Sequence, residues 1–143
     1  MKKTAAVLAC VLLAAHGFAQ DNYSRHMAEC VAALGKAVPD GYERTGRTWY
    51  KKTGENVLLK IDKYAKVVAS AFGAAFDRTN EAAEWAGQFY TLFEKENWQY
   101  YDTKEYGDMY KKGDIYAVIS EPSKRDDGLI AAHIAFSRDR SAL

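Results

Sequence analysis

Beyond its first nineteen residues the chain has one cysteine, Cys30, two histidines, His26 and His133, and two prolines, Pro39 and Pro122. A lone cysteine cannot close an intramolecular disulfide, so stability must come from a hydrophobic core. Two histidines leave little material for a metal centre or a nucleophile–base pair. His26 and Cys30, four residues apart, are spaced adequately for two ligands, but no second pair is placed to join them. The chain contains no Gly-rich phosphate loop, G-x-S-x-G elbow, H-E-x-x-H or C-x-x-C. Net charge is scarce too: 20 basic and 19 acidic side chains leave +1, which provides no broad field for a nucleic-acid backbone or an anionic membrane. No cofactor, metal or nucleic acid is expected. With 48% hydrophobic and 27% charged residues, the 143-residue chain has the composition of a folded globular protein.

The chain starts with Met1-Lys2-Lys3-Thr4, an apolar run from Ala5 to Ala15, and His16-Gly17-Phe18-Ala19. A charged start, apolar middle and small-residue exit are the parts of a secretory signal peptide, with Gly17 and Ala19 at the −3 and −1 positions. Residues 1–19 read as a cleaved leader and 20–143 as one α+β domain of 124 residues. The two-lysine start and short apolar run point to a bacterial periplasm or the cell exterior. The run is shorter than the 20 or so residues of a membrane anchor, so no span remains after cleavage. Val7-Leu8-Ala9-Cys10 loosely follows a lipobox, but cleavage there would leave an apolar mature N-terminus.

Met27, Cys30, Val31 and Leu34 fall at i, i+3, i+4 and i+7, the stripe of a helix opening near Ser24. Cys30 in that stripe is expected in the core, with a thiol exposed to a second chain as the alternative. Arg47 to Lys52, Asn56 to Ile61 and Val67 to Phe76 read as strands. A second helix is expected from Thr79 or Asn80 to about Asn97, with Ala82, Trp85, Ala86, Phe89, Leu92 and Phe93 along one face, followed by strands over Tyr106 to Lys111, Ile115 to Glu121 and Leu129 to Ser137. A shift of 59 carries Met27, Cys30, Val31 and Leu34 onto Ala86, Phe89, Tyr90 and Phe93, and Gly54-Glu55 onto Gly113-Asp114. In the last strands Val67-Val68-Ala69 meets Leu129-Ile130-Ala131 at a shift of 62, the extra residues being assigned to the loop before Leu129. The expected fold is two tandem α-β-β-β repeats, about 24–77 and 80–139, sharing an antiparallel sheet with both helices on one face. This arrangement resembles in architecture the β-lactamase inhibitory proteins, which are secreted and grip an enzyme with an aromatic-rich concave sheet. Their repeats are longer and each carries a disulfide, and none of their binding motifs can be placed here.

All 10 tyrosines and 3 tryptophans lie beyond the leader. Tyrosine and tryptophan give large contact area at small entropic cost and are enriched at interface hot spots. Trp49, Tyr50, Tyr110, Tyr116 and His133 are therefore the expected contacts for another protein, an enzyme of the envelope or exterior among the options, with homodimerisation open. Alternation puts Trp49 and Tyr50 on opposite faces, and Tyr110 opposite Met109. The expected function is that of a non-enzymatic binding protein of the inhibitor, immunity or envelope-assembly type. The alternative is a carrier or sensor of a small apolar or aromatic ligand held between sheet and helices, where Ala69, Ser70, Ala71, Gly73, Ala74 and Ala75 leave room. Acid–base chemistry would have to use Glu43, Asp102 and His133.

Overall fold

The computed structural model describes residues 22–52, 56–61 and 65–143. The expected leader and the hairpin tip Gly54-Glu55 lie outside them. A first helix, α1, covers 22–33. The strands are β1 (Glu43–Thr45), β2 (Thr48–Lys52), β3 (Asn56–Ile61) and β4 (Val67–Phe76), then, after the helix α2 (Thr79–Lys95), β5 (Gln99–Lys104), β6 (Gly107–Lys112), β7 (Ile115–Ser120), β8 (Ser123–Lys124) and β9 (Ile130–Ser137). A 3₁₀ turn, Arg140–Ala142, follows. All strands join one antiparallel sheet in the order β1-β2-β3-β4-β9-β7-β6-β5, with β8 beside β9.

The six strands expected from alternation occur within one residue of their expected limits, and β1, β5 and β8 are additional. Those three carry no alternating apolar stripe. Glu43, Arg44, Thr45, Ser123 and Lys124 are all exposed, and β5 has only Asp102 partly covered. Backbone pairing with a neighbour forms them, and that pairing has no hydropathy signature. The first half of the chain thus holds one strand more than expected and the second half two, with β1 and β5 forming the two edges of the path.

Helix α2 buries Ala82, Trp85, Ala86, Phe89, Leu92 and Phe93, the 3.6-residue stripe read from the sequence. It is capped at its start by Arg78, whose side chain makes no capping bond. At its end Asn97 adopts φ +65°, the left-handed conformation common just past a helix terminus. The Trp98 N–H then donates to the Phe93 carbonyl (2.8 Å), and the Lys112 ammonium donates to the Glu96 carbonyl (2.7 Å). This reversal lays the Trp98 ring on Phe93, centroids 5.3 Å apart.

One apolar cluster runs through both halves, joining Met27 and Cys30 of α1 and Leu34 just past its end to the α2 stripe and to Phe72, Ile134 and Phe136 of the central strands. Phe72 is 0% exposed. Its ring meets Tyr23 and His26 from α1 and Trp85 and Phe89 from α2. Beside it, the Ser70 hydroxyl donates to the Cys30 carbonyl (2.7 Å), tying β4 to α1. Cys30 is buried in this cluster, in accord with its place in the helix stripe.

Candidate functional site

Alternation along β4 sends Ser70 and Phe72 into the core and turns Ala69, Ala71 and Gly73 the other way. On β9 the same parity buries Ala132, Ile134 and Phe136 and leaves Ala131, His133 and Ala135 opposite. The register aligns these sets, with Ala71 facing Ala135, Gly73 facing His133 and Ala75 facing Ala131. Small side chains on two adjacent central strands leave a hollow. It measures about 510 Å³, and Thr48 of β2, Lys60 of β3 and Arg125 of the β8–β9 loop complete its wall.

Gly73 is held to glycine by this pairing. A Cβ there would stand 2.6 Å from the Ala132 carbonyl oxygen and 2.9 Å from the His133 Cβ. The site therefore rests on a close approach of β4 to β9, with the His133 ring rising beside it. The His133 N–H donates to the Ser120 hydroxyl (2.8 Å), which fixes the strand beneath the ring. His133 is exposed toward the hollow, yet the protein around it still partly desolvates its ring. That desolvation, and secondarily the positive charge of Lys60, lowers its pKa below the ordinary histidine value.

The far half of the same face is covered. Tyr101 packs edge-on against Tyr116 (5.3 Å), and the Arg140 guanidinium donates to the Tyr101 hydroxyl (2.6 Å). Ala142 and Leu143 lie with Tyr106 over Val118, leaving only a recess of about 50 Å³ that reaches Lys60 and His133. Val118, which lines this recess, is 2% exposed and its register partner Met109 1%, on a face that carries no core cluster. The hollow is where the cover stops.

The five residues expected as partner contacts do not form one surface. Tyr50, Tyr116 and His133 have the parity of the hollow, Tyr50 standing in register with Leu58 and, through it, with Ala71. Tyr50 donates its hydroxyl to Glu43 (2.8 Å) near the β1 edge. Trp49 and Tyr110 have the opposite parity and pack against the core. The Tyr110 ring meets Phe93 edge-on at 5.0 Å, with Tyr90 and Tyr100 beside it. Trp49 pairs with the core residue Leu59, and Arg44 lies 5.9 Å from its ring centroid.

The small residues named for a ligand also divide. Ser70 and Ala74 have core parity and Ala69, Ala71 and Gly73 have hollow parity, while the space between sheet and helices is occupied by Phe72, Phe89, Phe93 and Phe136. The free volume lies on the other side of the sheet. Thr48, Lys60 and Arg125 were not singled out by sequence. Lys60 was legible as the polar position between Leu59 and Ile61, but its nearness to His133 depends on the order β3-β4-β9.

Glu43 and Asp102, with His133 the acid–base residues of the sequence, stand on β1 and β5 at opposite ends of the path. Seven inter-strand steps of about 4.8 Å separate them. Lys104 pairs with Asp102 at 2.8 Å and, with the Thr103 N–H, lowers its pKa. Among the described residues no three His, Cys, Asp or Glu side chains gather as a metal site, and no helix is long and apolar enough to cross a membrane. No protein family, curated protein or solved structure matches the chain, so the architectural likeness to the β-lactamase inhibitory proteins gains no support from them.

Proposed function

We propose that the protein is a non-enzymatic binding module, exported to the bacterial periplasm or beyond, that holds a protein partner on the sheet face bearing Tyr50, Tyr116 and His133. The observation carrying this reading is the hollow itself. Four strands present Thr48, Lys60, Ala71, Gly73, Ala131, His133 and Ala135 together, and nothing in the described chain fills the space above them. A concave apolar floor with a few polar groups at its wall suits a protruding side chain or loop. The leader-like first residues support export.

Two tandem repeats, with both helices on one face of the shared sheet, belong to the same reading. The strand path supports it: outward from β4 and β9 it runs β3-β2-β1 one way and β7-β6-β5 the other. The register supports it as well. Phe72 pairs with Ile134, its equivalent at the shift of 62, and under that shift the pairs Ala71–Ala135 and Gly73–His133 exchange. A pseudo-twofold axis through Phe72 and Ile134 gives this pattern. On this reading Val57 and Ile119, the register neighbours of Phe72 and Ile134, are also equivalent at the shift of 62, which favours an insertion in the outer hairpins over one before Leu129.

A small-ligand carrier is the second reading, favoured by the hollow's volume, which lies within the range of small-molecule sites. Affinity capture from envelope extract separates the two. The protein should retain a stoichiometric partner that an Ala71→Trp variant of unchanged melting temperature loses. A partner kept by that variant would remove this face as the interface, and the absence of any partner would favour the small ligand.

A further inference from the structure

We propose that the hollow over β2, β3, β4 and β9 binds a carboxylate carried on an apolar stem. The inference rests on the reading of this face as the binding surface and adds the chemistry of what enters it. Its floor is made of Ala71, Gly73, Ala131 and Ala135, which offer methyl groups and no side-chain hydrogen bond. A saturated chain lying on them exchanges water for apolar contact, a gain that grows with the area covered.

The charged side chains of the wall share one sign. Lys60 and Arg125 line the hollow beside the neutral imidazole of His133, and no aspartate or glutamate lines it. Arg125 is partly compensated, holding Asp127 at 2.9 Å. Lys60 is different: among the described residues its ammonium forms no ion pair. Its charge reaches the His133 ring, and the register sets the two on either side of Ala71 and Ala135, Lys60 level with Ala69 and His133 paired with Gly73, so both border the apolar floor. An anion placed there gains a charge-assisted hydrogen bond from Lys60 and a second donor from the imidazole. A cation would meet like charge, and a neutral alcohol would leave Lys60 without a counter-ion.

The occupant is therefore a medium-chain monocarboxylate in its simplest form. The experiment titrates purified protein with decanoate, 1-decanol and decyltrimethylammonium, each below its aggregation threshold. The His133 imidazole proton resonances and isothermal calorimetry provide the readouts. Decanoate should bind at least about tenfold more tightly than 1-decanol, the margin of one good charge-assisted contact, and shift the His133 signals. Lys60→Ala should weaken decanoate about tenfold and leave 1-decanol unchanged, while Tyr90→Phe, remote from the hollow, should change neither.

Equal binding of acid and alcohol, preference for the ammonium, or indifference to Lys60→Ala would each overturn the proposal. So would the absence of decanoate binding. Failure here remains distinct from failure of the partner reading. Loss of decanoate binding with capture still sensitive to Ala71→Trp removes only the ligand chemistry. Decanoate binding with capture insensitive to Ala71→Trp removes only the protein interface.

Discussion

Replacing Phe72 with alanine tests how the two halves are joined. Phe72 is 0% exposed, and its ring lies 5.4 Å from His26, 5.5 Å from Phe89, 6.2 Å from Trp85 and 6.5 Å from Tyr23, centroid to centroid. Truncating a buried phenylalanine costs about 3 to 5 kcal/mol in transfer and cavity terms. Edge-to-face ring contacts add about 0.5 to 1.5 kcal/mol each beyond area. Because both helices meet this one ring, the cavity cannot close by moving either alone. The expected loss is therefore at the upper end, about 4 to 5 kcal/mol. Against a typical stability of about 5 to 15 kcal/mol, that removes a large part of the total.

Urea unfolding followed by tryptophan fluorescence reads this directly, since Trp85 and Trp98 both belong to the same cluster. With a urea slope of about 1 to 3 kcal/mol per molar, the midpoint should fall by roughly 2 M at unchanged slope. Ala71→Ser, one residue away but facing the hollow, should cost no more than about 1 kcal/mol. A Phe72→Ala loss below about 1.5 kcal/mol, or an Ala71→Ser loss as large as that of Phe72→Ala, would refute the assignment of these neighbours to opposite faces.

Burial pushes the Cys30 thiol up to about 12, so native protein at pH 8 should resist iodoacetamide until it is unfolded, and rapid labelling under native conditions would contradict the burial. Gly73→Ala normally would stabilise a strand by about 0.5 to 1 kcal/mol, yet here the added methyl meets the Ala132 carbonyl. A loss of about 2 kcal/mol or more, with faster amide exchange along β4 and β9, is expected, and a gain would show that the strands are not so close. His133 should titrate by NMR below the ordinary value of 6.5, moving upward in Lys60→Ala. As the unfolded chain then binds the proton more readily, the stability contributed by neutral His133 is full above about pH 6.5 and is lost as pH falls through the folded pKa. A midpoint at or above 6.5 would contradict both causes.

Trp49 and Tyr110 illustrate where sequence reading reached its limit. Alternation established that neighbours such as Trp49 and Tyr50 occupy opposite faces, but both are large and amphipathic, so hydropathy alone did not say which turned inward. Tyr110 turns inward because Phe93 and Tyr90 of α2 receive its ring. The candidate site was legible only in fragments. Ala131, His133 and Ala135 alternate visibly, and Ala71 and Gly73 are conspicuously small, but these strands are 62 residues apart. Their register is a long-range fact that no local pattern carries. Edge strands β1 and β5 escaped for a related reason, since they gain pairing without burying a stripe.

The sequence by itself determined both helical stripes, the six main strands and the burial of Cys30, because periodicities of 3.6 and 2 residues record which side chains leave water. It also set the near-zero net charge and the scarcity of catalytic groups. Only the tertiary structure decided that β4 lies against β9, that one face holds Phe72 and the opposite one a hollow, and that Lys60 and His133 share its wall. Those outcomes depend on backbone pairing between distant strands, and an N–H or carbonyl carries no trace in the sequence of which partner it will find.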